Sequence, residues 1–384
     1  MSGTVAVIGG GIQGTLCALT CAAAGWRVTL FERRPKLWQG ASGNNEGKIH
    51  LGFTYGLDRS GKTQARLAEL GARFEQALAA ILGPLPAGIF VARQVIYARH
   101  VLSALDAEAT EAHLKSTAGL AGTTAAIRRI PRGELHALFS DQVTDAWEVP
   151  ETTIEPTVLG DAILARLAQM ATVDIVTNAD VGELGQDGTV RDADGRRLGQ
   201  FDRLLNCAWD GMARLRGGGA GFCLRGKAGF IARIRSPGPA LPVTFCFGPF
   251  GDIVPLDGNR CYVSWYPACL MGFTTDLSAG SRWFDRLAAG FDFAAAYRLT
   301  RQRLTELTRG FELDEQYERV RAGPILAEGR TDIYDLESRL HRRTAIGLEA
   351  SGRIAAINPG KLTTAPWWAS EAARWIQVQH PSSA

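Results

Sequence analysis

Residues Thr4 to Ile8 form an unbroken apolar, β-branched run, the pattern of a strand covered on both faces of a parallel sheet. The cluster Gly9-Gly10-Gly11-Ile12-Gln13-Gly14 follows, then an Ala/Leu/Cys-rich segment, Thr15 to Ala24, which predicts a helix stopped by Gly25. Arg27 to Phe31 predicts a second strand, closed by Glu32 and Arg33. Further on, Ile49, Leu51, Phe53 and Tyr55 alternate with His50, Gly52 and Thr54, a period of two that predicts a strand with one apolar face. Leu67, Leu70, Phe74, Leu78 and Ile81 recur at three- and four-residue steps and predict a helix beginning near Lys62. Tyr262, Ser264 and Tyr266 alternate with Val263 and Trp265 and predict a strand over residues 260–270, and a helical stretch runs from Ser281 to about Gly310.

Two stretches carry competing nucleotide signatures. Gly56-Leu57-Asp58-Arg59-Ser60-Gly61-Lys62-Thr63 matches G-x-x-x-x-G-K-[ST], the loop that cradles nucleotide phosphates. Such a loop follows a central, continuously apolar strand, whereas the alternation over residues 49–55 describes a half-buried one. The nearest apolar run ending in an acid that could hold Mg²⁺, at Asp257, is interrupted by Pro255. Gly61-Lys62-Thr63 is therefore expected only to begin a helix, with a P-loop NTPase using Gly56–Thr63 as the alternative.

The N-terminal signature has each part in register. Gly9 permits the tight turn, Gly11 lets backbone approach a pyrophosphate, and Gly14 allows close helix–strand packing. The phosphates meet N–H groups at a helix N-terminus. Glu32 lies about 20 residues on, where an acid accepts hydrogen bonds from a ribose. Strand, turn, helix, strand and acid together point to a dinucleotide.

Composition narrows the picture. With 384 residues, 46% hydrophobic and 21% charged, the chain is an ordinary globular one, long enough for two domains. A net charge of +3 and scattered arginines exclude an electrostatic case for nucleic acid. Seven cysteines, at 17, 21, 207, 223, 246, 261 and 269, make no CxxC pair or zinc spacing, so no metal is expected. Cys17 and Cys21 share a helix face and should pack as small apolar groups. The odd count, and a strand in place of a charged-then-apolar leader, suggest a reducing, cytoplasmic setting. No uncharged apolar run reaches the roughly 18 residues of a membrane span.

"TVAVIGGGIQGTLCALTCAAAGWRVTLFER" followed by "ASGNNEGKIHLGFTYG" resembles the FAD-dependent oxidoreductases of the D-amino-acid oxidase superfamily. In that family a loop of the type S-x-x-N-x-G-x-I-H passes under the flavin, and Ser42, Asn44, Asn45, Gly47, Ile49 and His50 fit it. "FDRLLNCAWDG" resembles the strand and turn that return to the cofactor, implicating Cys207, Ala208 and Trp209. "NADVGEL" around Val181 resembles the strand that touches the adenine. "AAINPGKLTTAPWWASEAARWI" resembles the closing flavin loop and helix, implicating Gly360, Lys361, Leu362, Thr363 and Thr364. "RVRAGP" resembles the segment with a substrate-facing arginine, here Arg321. The style is closest to the subgroup containing L-2-hydroxyglutarate and glycerol-3-phosphate dehydrogenases. Two departures are Trp209, where the family usually has glycine, and Glu318-Arg319 in place of a small pair. No Cys or His stands at a covalent attachment position, which implies non-covalent FAD.

Oxidation of a C–H beside an amine or hydroxyl requires that carbon to be held about 3–3.5 Å from the acceptor, with fixed charge to orient the substrate. Arg321 suits a carboxylate or phosphate bidentately, or else a structural ion pair. His50 suits an acid/base, since imidazole titrates near neutrality, or else a satisfied core position. Lys48 shares its face. Tyr262 and Tyr266 belong to a sheet that in the family roofs the substrate, or else to sheet packing.

The expected fold class is α/β: a Rossmann-like FAD-binding domain from residues 1–80, 150–220 and 325–384, interleaved with an α+β substrate domain. The latter takes residues 85–150 and 222–322 and is built on a mostly antiparallel sheet. The expected function is FAD-dependent removal of a hydride from an amino acid, amine or 2-hydroxy acid. O₂ and a quinone both stay open as acceptor, as does the oligomeric state. The rivals are a nicotinamide dehydrogenase, which does not need the closing loop, and a flavin-fold binding subunit without catalysis.

Overall fold

The structure is a computed structural model that describes residues 3–123, 127–215, 221–236, 241–278 and 281–378. Strand β1 (Thr4–Ile8) leads into helix α1 (Ile12–Ala23), which returns to strand β2 (Arg27–Phe31). β1 lies between β2 and Arg203–Asn206, and β2 pairs in turn with Val173–Val176, all parallel. Ile354–Asn358 continues the parallel set, and Gly347–Ser351 adds an antiparallel edge. The continuous apolar run of β1 is thus explained: Val5, Ala6 and Val7 are wholly buried at the sheet centre. α1 packs against the sheet and against helices Pro156–Ala168 and Ala365–Val378. Cys17 and Cys21 are buried in that helical layer as small apolar groups.

A second, nine-stranded sheet is antiparallel except where Val243–Cys246 runs parallel to Val95–His100. Its backbone is the long strand Phe222–Arg233, paired along its length with Arg319–Glu328. Helix Phe293–Leu307 covers its far face through Tyr297 and Leu304. A three-stranded antiparallel sheet from Val181–Leu184, Thr189–Asp192 and Arg197–Gln200 completes the first layer. Lys48–Ile49, Thr152–Ile154 and Phe90–Ala92 form a small sheet. The fold is α/β, a Rossmann-like layer joined to a mostly antiparallel α+β layer.

Several boundaries differ from the periodicity. The strand expected over residues 49–55 stops after Ile49, because Gly52 at φ +106° turns the chain into a 3₁₀ helix, Phe53–Tyr55. Its alternating apolar residues still bury, split between two cores. The helix after Lys62 is two, Lys62–Gly71 and Phe74–Leu82, and the stretch from Ser281 is Ser281–Ala289 plus Phe293–Leu307. The strand at 260–270 ends at Trp265, and Tyr266–Cys269 is a helical turn carrying Pro267. Pro255 closes strand Gly251–Pro255.

Candidate active site

At the end of β1 the chain must turn within van der Waals reach of its neighbours. Gly9 has φ +106°, and a Cβ there would lie 2.6 Å from the Cys207 carbonyl oxygen. A Cβ on Gly14 would lie 1.8 Å from the Gly9 carbonyl oxygen, so only glycine lets α1 sit this close to the turn. The N-cap residue, Gly11, offers no side chain, and the first turn of α1 holds no acid, so its positive end faces outward for an anion. Ile12 N–H donates to Ser42 Oγ at 2.9 Å, which fixes the next loop against the helix. Glu32 accepts from Gly10 N–H at 2.7 Å and Arg34 N–H at 2.8 Å, and so ties the end of β2 to the turn.

A cavity of about 370 Å³ opens here, within the size range of small-molecule and cofactor sites. Of the residues expected at a cofactor, Gly9, Gly11, Ile12, Gln13, Glu32, Arg33, Ser42, Asn45, Val181, Cys207, Ala208, Trp209, Gly360, Lys361 and Leu362 line it. The glycine turn and the closing bend thus meet in one cavity. Gln13 Oε1 is buried without a hydrogen-bond partner among the described residues, while its Nε2 donates to Cys17 Sγ. Trp209 adopts φ +49° in the left-handed region, and its Nε1 donates to Pro324 O at 2.9 Å. The indole that replaces the expected glycine therefore bridges the return turn to the long strand pair of the second sheet.

Five expected residues shape this cavity without lining it. Gly14 sets helix packing, as described. Asn44 turns its amide to Gln39 O and Gly40 O. Gly47, at φ +76°, passes close to Ile154 O. Thr364 Oγ1 donates back to Pro359 O and closes the bend, and Thr363 is buried beside it. The local turns of both loops require these residues.

Beyond the glycine turn the cavity widens into a chamber rich in charge. Lys48 is buried and reaches the Asp252 carboxylate and Thr244 Oγ1 on the second sheet. Lys227 Nζ stands 3.8 Å from the other Asp252 oxygen. Burial works against the charged Asp252, but Lys48 and Lys227 outweigh it and hold its pKa below the usual carboxylate range. His50 Nε2 is 3.2 Å from Glu46 Oε1, and His50 Nδ1 is 3.6 Å from Glu151 Oε1. Burial and Lys361 disfavour the imidazolium, yet the two carboxylates prevail and raise the His50 pKa. Against its own burial, Glu46 is held well below its ordinary range by His50, Lys361 and Lys227.

Two arginines that the motifs did not reveal also line the cavity. Arg225 is 3% exposed; its Nε lies 3.2 Å from Asp332 Oδ1, and its guanidinium lies over the Tyr266 ring at 5.1 Å. Tyr266 OH donates to the same Asp332 oxygen at 2.9 Å. Arg343 is 6% exposed, donates to Leu326 O at 2.6 Å, and has no carboxylate partner among the described residues. Arg343 Nε has no hydrogen-bond partner among the described residues, and Arg225 Nε meets only the Asp332 ion pair. His341 shares this wall, and burial with the two arginines pushes its pKa down to about 4. The available signal was Arg225-Gly226-Lys227, two cations inside an otherwise apolar strand; nothing around Arg343 marks it.

Arg321 and Tyr262 are placed elsewhere. The Arg321 guanidinium is buried against Glu155 and Thr157 Oγ1, outside the cavity wall, because its strand turns that face toward the Pro156 helix. Tyr262 is 2% exposed and lies on Gly229, packed with Ile231, Val254 and Leu256. The phosphate-loop signature is likewise occupied from within. Asp58 accepts from Thr63 N–H, Ser60 N–H and Ser60 Oγ, and Lys62 is exposed. A carboxylate stands where such a loop would take phosphate.

A family model described as FAD dependent oxidoreductase matches residues 4–332 of the chain. Among curated proteins, the FAD-dependent monooxygenase FPY4 of Fusarium mangiferae is 41% identical over 63 residues, which span 16% of this chain and only 17% of that protein. Among solved structures, glycine oxidase from Geobacillus kaustophilus superposes with a TM-score of 0.68 at 17% identity, covering 99% of this chain and 96% of that one. L-alpha-glycerophosphate oxidase from Mycoplasma pneumoniae, with FAD bound, gives 0.66 at 15% identity, covering 98% and 95%. At such identities the likeness is one of fold.

Proposed function

The chain belongs to the FAD dependent oxidoreductase family, and from that premise we propose that it oxidises a small substrate carrying a carboxylate or similar oxyanion, at a C–H beside an amine or hydroxyl. The site residues fit FAD: Gly9 and Gly14 leave no room for a side chain, the α1 terminus carries no acid, and Gln13 Oε1 waits for a donor. The glycine turn would hold the pyrophosphate, Glu32 and Val181 the adenosine end, and the Gly360–Leu362 bend the flavin end. When bound, FAD supplies the acceptor for the two electrons of the C–H bond.

The chain's own residues supply the rest. Arg225 and Arg343 are the observation that carries this reading: two desolvated guanidinium groups on the cavity wall, of which only Arg225 is paired with a carboxylate among the described residues. Each offers N–H donors to an oxyanion, and desolvation strengthens that attraction. Asp332 and Tyr266 keep Arg225 in place, and the low pKa of His341 keeps that imidazole neutral beside them. His50, between Glu46 and Glu151, governs charge where a substrate nitrogen or oxygen would sit.

Anaerobic addition of amino acids, N-substituted amino acids and 2-hydroxy acids to the yellow protein tests this. Bleaching of the flavin by carboxylate substrates, and not by the matching uncharged amines or alcohols, is expected. A flavin that no such compound reduces would mark a binding subunit instead.

A further inference from the structure

His50 sits between two acids from different parts of the chain. Glu46 belongs to its own loop, and its Oε1 lies 3.2 Å from Nε2. Glu151 comes from the turn before strand Thr152–Ile154, is fully buried, and presents Oε1 at 3.6 Å from Nδ1. Its orientation is fixed: Tyr97 OH donates to Oε2 at 2.8 Å and Leu51 N–H to Oε1 at 3.3 Å. The remaining groups that face the ring are Tyr55, with ring centroids 6.5 Å apart, and Lys361 on the closing bend.

A neutral imidazole has one N–H and one lone pair, whereas an ionised carboxylate only accepts. With a carboxylate oxygen toward each nitrogen, a neutral ring would set a lone pair against an anion. Only the imidazolium turns an N–H to both anions, Nε2 within hydrogen-bond distance of Glu46 and Nδ1 in ion-pair range of Glu151.

We propose that Glu151, oriented by Tyr97, is a positioning residue whose charge holds His50 as an imidazolium hydrogen-bonded to Glu46, so that the resting site is a fixed charge and not a base. This rests on the reading of the chamber as the substrate site, and it refines the substrate class. Oxidation of a hydroxyl requires its O–H proton to pass to a lone pair, and His50 has none until it gives up its own proton. An amine that has lost its ammonium proton to solvent presents a free lone pair and needs no such acceptor. The site thus suits an amine at neutral pH, with Glu46 as the anion facing its nitrogen. The raised His50 pKa agrees with this geometry.

The test is an NMR titration of the holoenzyme carrying ¹³C-labelled histidine, with the His50 signal assigned through His50→Gln. In the wild type the His50 midpoint is expected above the ordinary value of about 6.5. In Glu151→Gln, which keeps the shape and one carbonyl acceptor but removes the charge, proton affinity should fall at least tenfold. Glu46→Gln, at the cavity-lining and less buried of the two acids, should lower it too and serves if the Glu151 variant does not fold. A wild-type midpoint at or below the ordinary value, or one unmoved by either variant, overturns the proposal. No substrate enters this measurement, so it stands apart from flavin bleaching: a bracketed imidazolium in a protein that no substrate reduces would sink the enzymatic reading alone. Among reducing substrates, flavin reduction by a 2-hydroxy acid should rise with pH through the His50 midpoint, while reduction by the matching amino acid should not follow it. Identical profiles would overturn the amine assignment.

Discussion

The Asp58 carboxylate accepts the Thr63 backbone N–H at 3.2 Å, closing from inside a loop whose sequence reads as a phosphate cradle. The same acid takes the Ser60 N–H and hydroxyl, and these bonds overcome its burial to lower its pKa. The pattern G-x-x-x-x-G-K-T is satisfied here by a self-capped helix start.

Lys62→Ala is accordingly expected to leave FAD content and thermal stability unchanged, and ATP should not shift the melting temperature. Asp58→Ala removes a helix-capping acceptor and should cost about 1–2 kcal/mol. Thermal melts with and without nucleotide check both.

Gly14→Ala should yield colourless protein, since its Cβ would meet the Gly9 carbonyl oxygen at 1.8 Å. Gly133→Ala, in a helix where an added Cβ has nothing within 4 Å, is the control and should stay yellow. The ratio of flavin to protein absorbance decides.

Arg343→Met should raise KM for a carboxylate substrate by roughly 10- to 100-fold, the loss of charge-assisted bonds of about 1.5–3 kcal/mol. It strands no carboxylate, so the fold should persist. Arg321→Met leaves Glu155 buried and unpaired and should cost about 3–5 kcal/mol of stability. Steady-state kinetics beside denaturant melts separate the two arginines; equal effects on KM would contradict their placement.

Asp252 and Glu46 have folded-state pKa values below their unfolded ones. Their contribution to stability is complete above the ordinary carboxylate range of about 4 and is lost as pH falls through the depressed values. Acid unfolding should therefore be less steep in Asp252→Asn, which should be less stable at neutral pH because Lys48 and Lys227 lose their counter-ion. Urea melts between pH 2 and pH 7, a range of about the carboxylate titrations, provide the measurement.

Much of the proposed cofactor side was legible because backbone geometry dictates its turns. The turn at Gly9, the helix at Ile12 and the acid at Glu32 are local consequences of residues that follow one another closely, and Ser42 to His50 form a single loop. Alternation over residues 49–55 misled because Ile49 and Tyr55 bury in one core and Leu51 and Phe53 in another, across a glycine turn. Periodicity records burial and not the direction in which a residue is buried.

The substrate side was not legible in this way. Arg321 and Arg343 are both arginines near the C-terminal motif, and the one in the more suggestive sequence context faces Glu155. Arg225, Arg343 and Glu151 acquire meaning only from what the second sheet and the closing segment place opposite them. The sequence alone determined the βαβ unit and the loop proposed for the cofactor, since a turn that excludes a Cβ and a helix start without an acid are properties of contiguous residues. Which charges share one desolvated chamber was decided by the tertiary structure, because the energy of a buried ion depends on partners a hundred or more residues away.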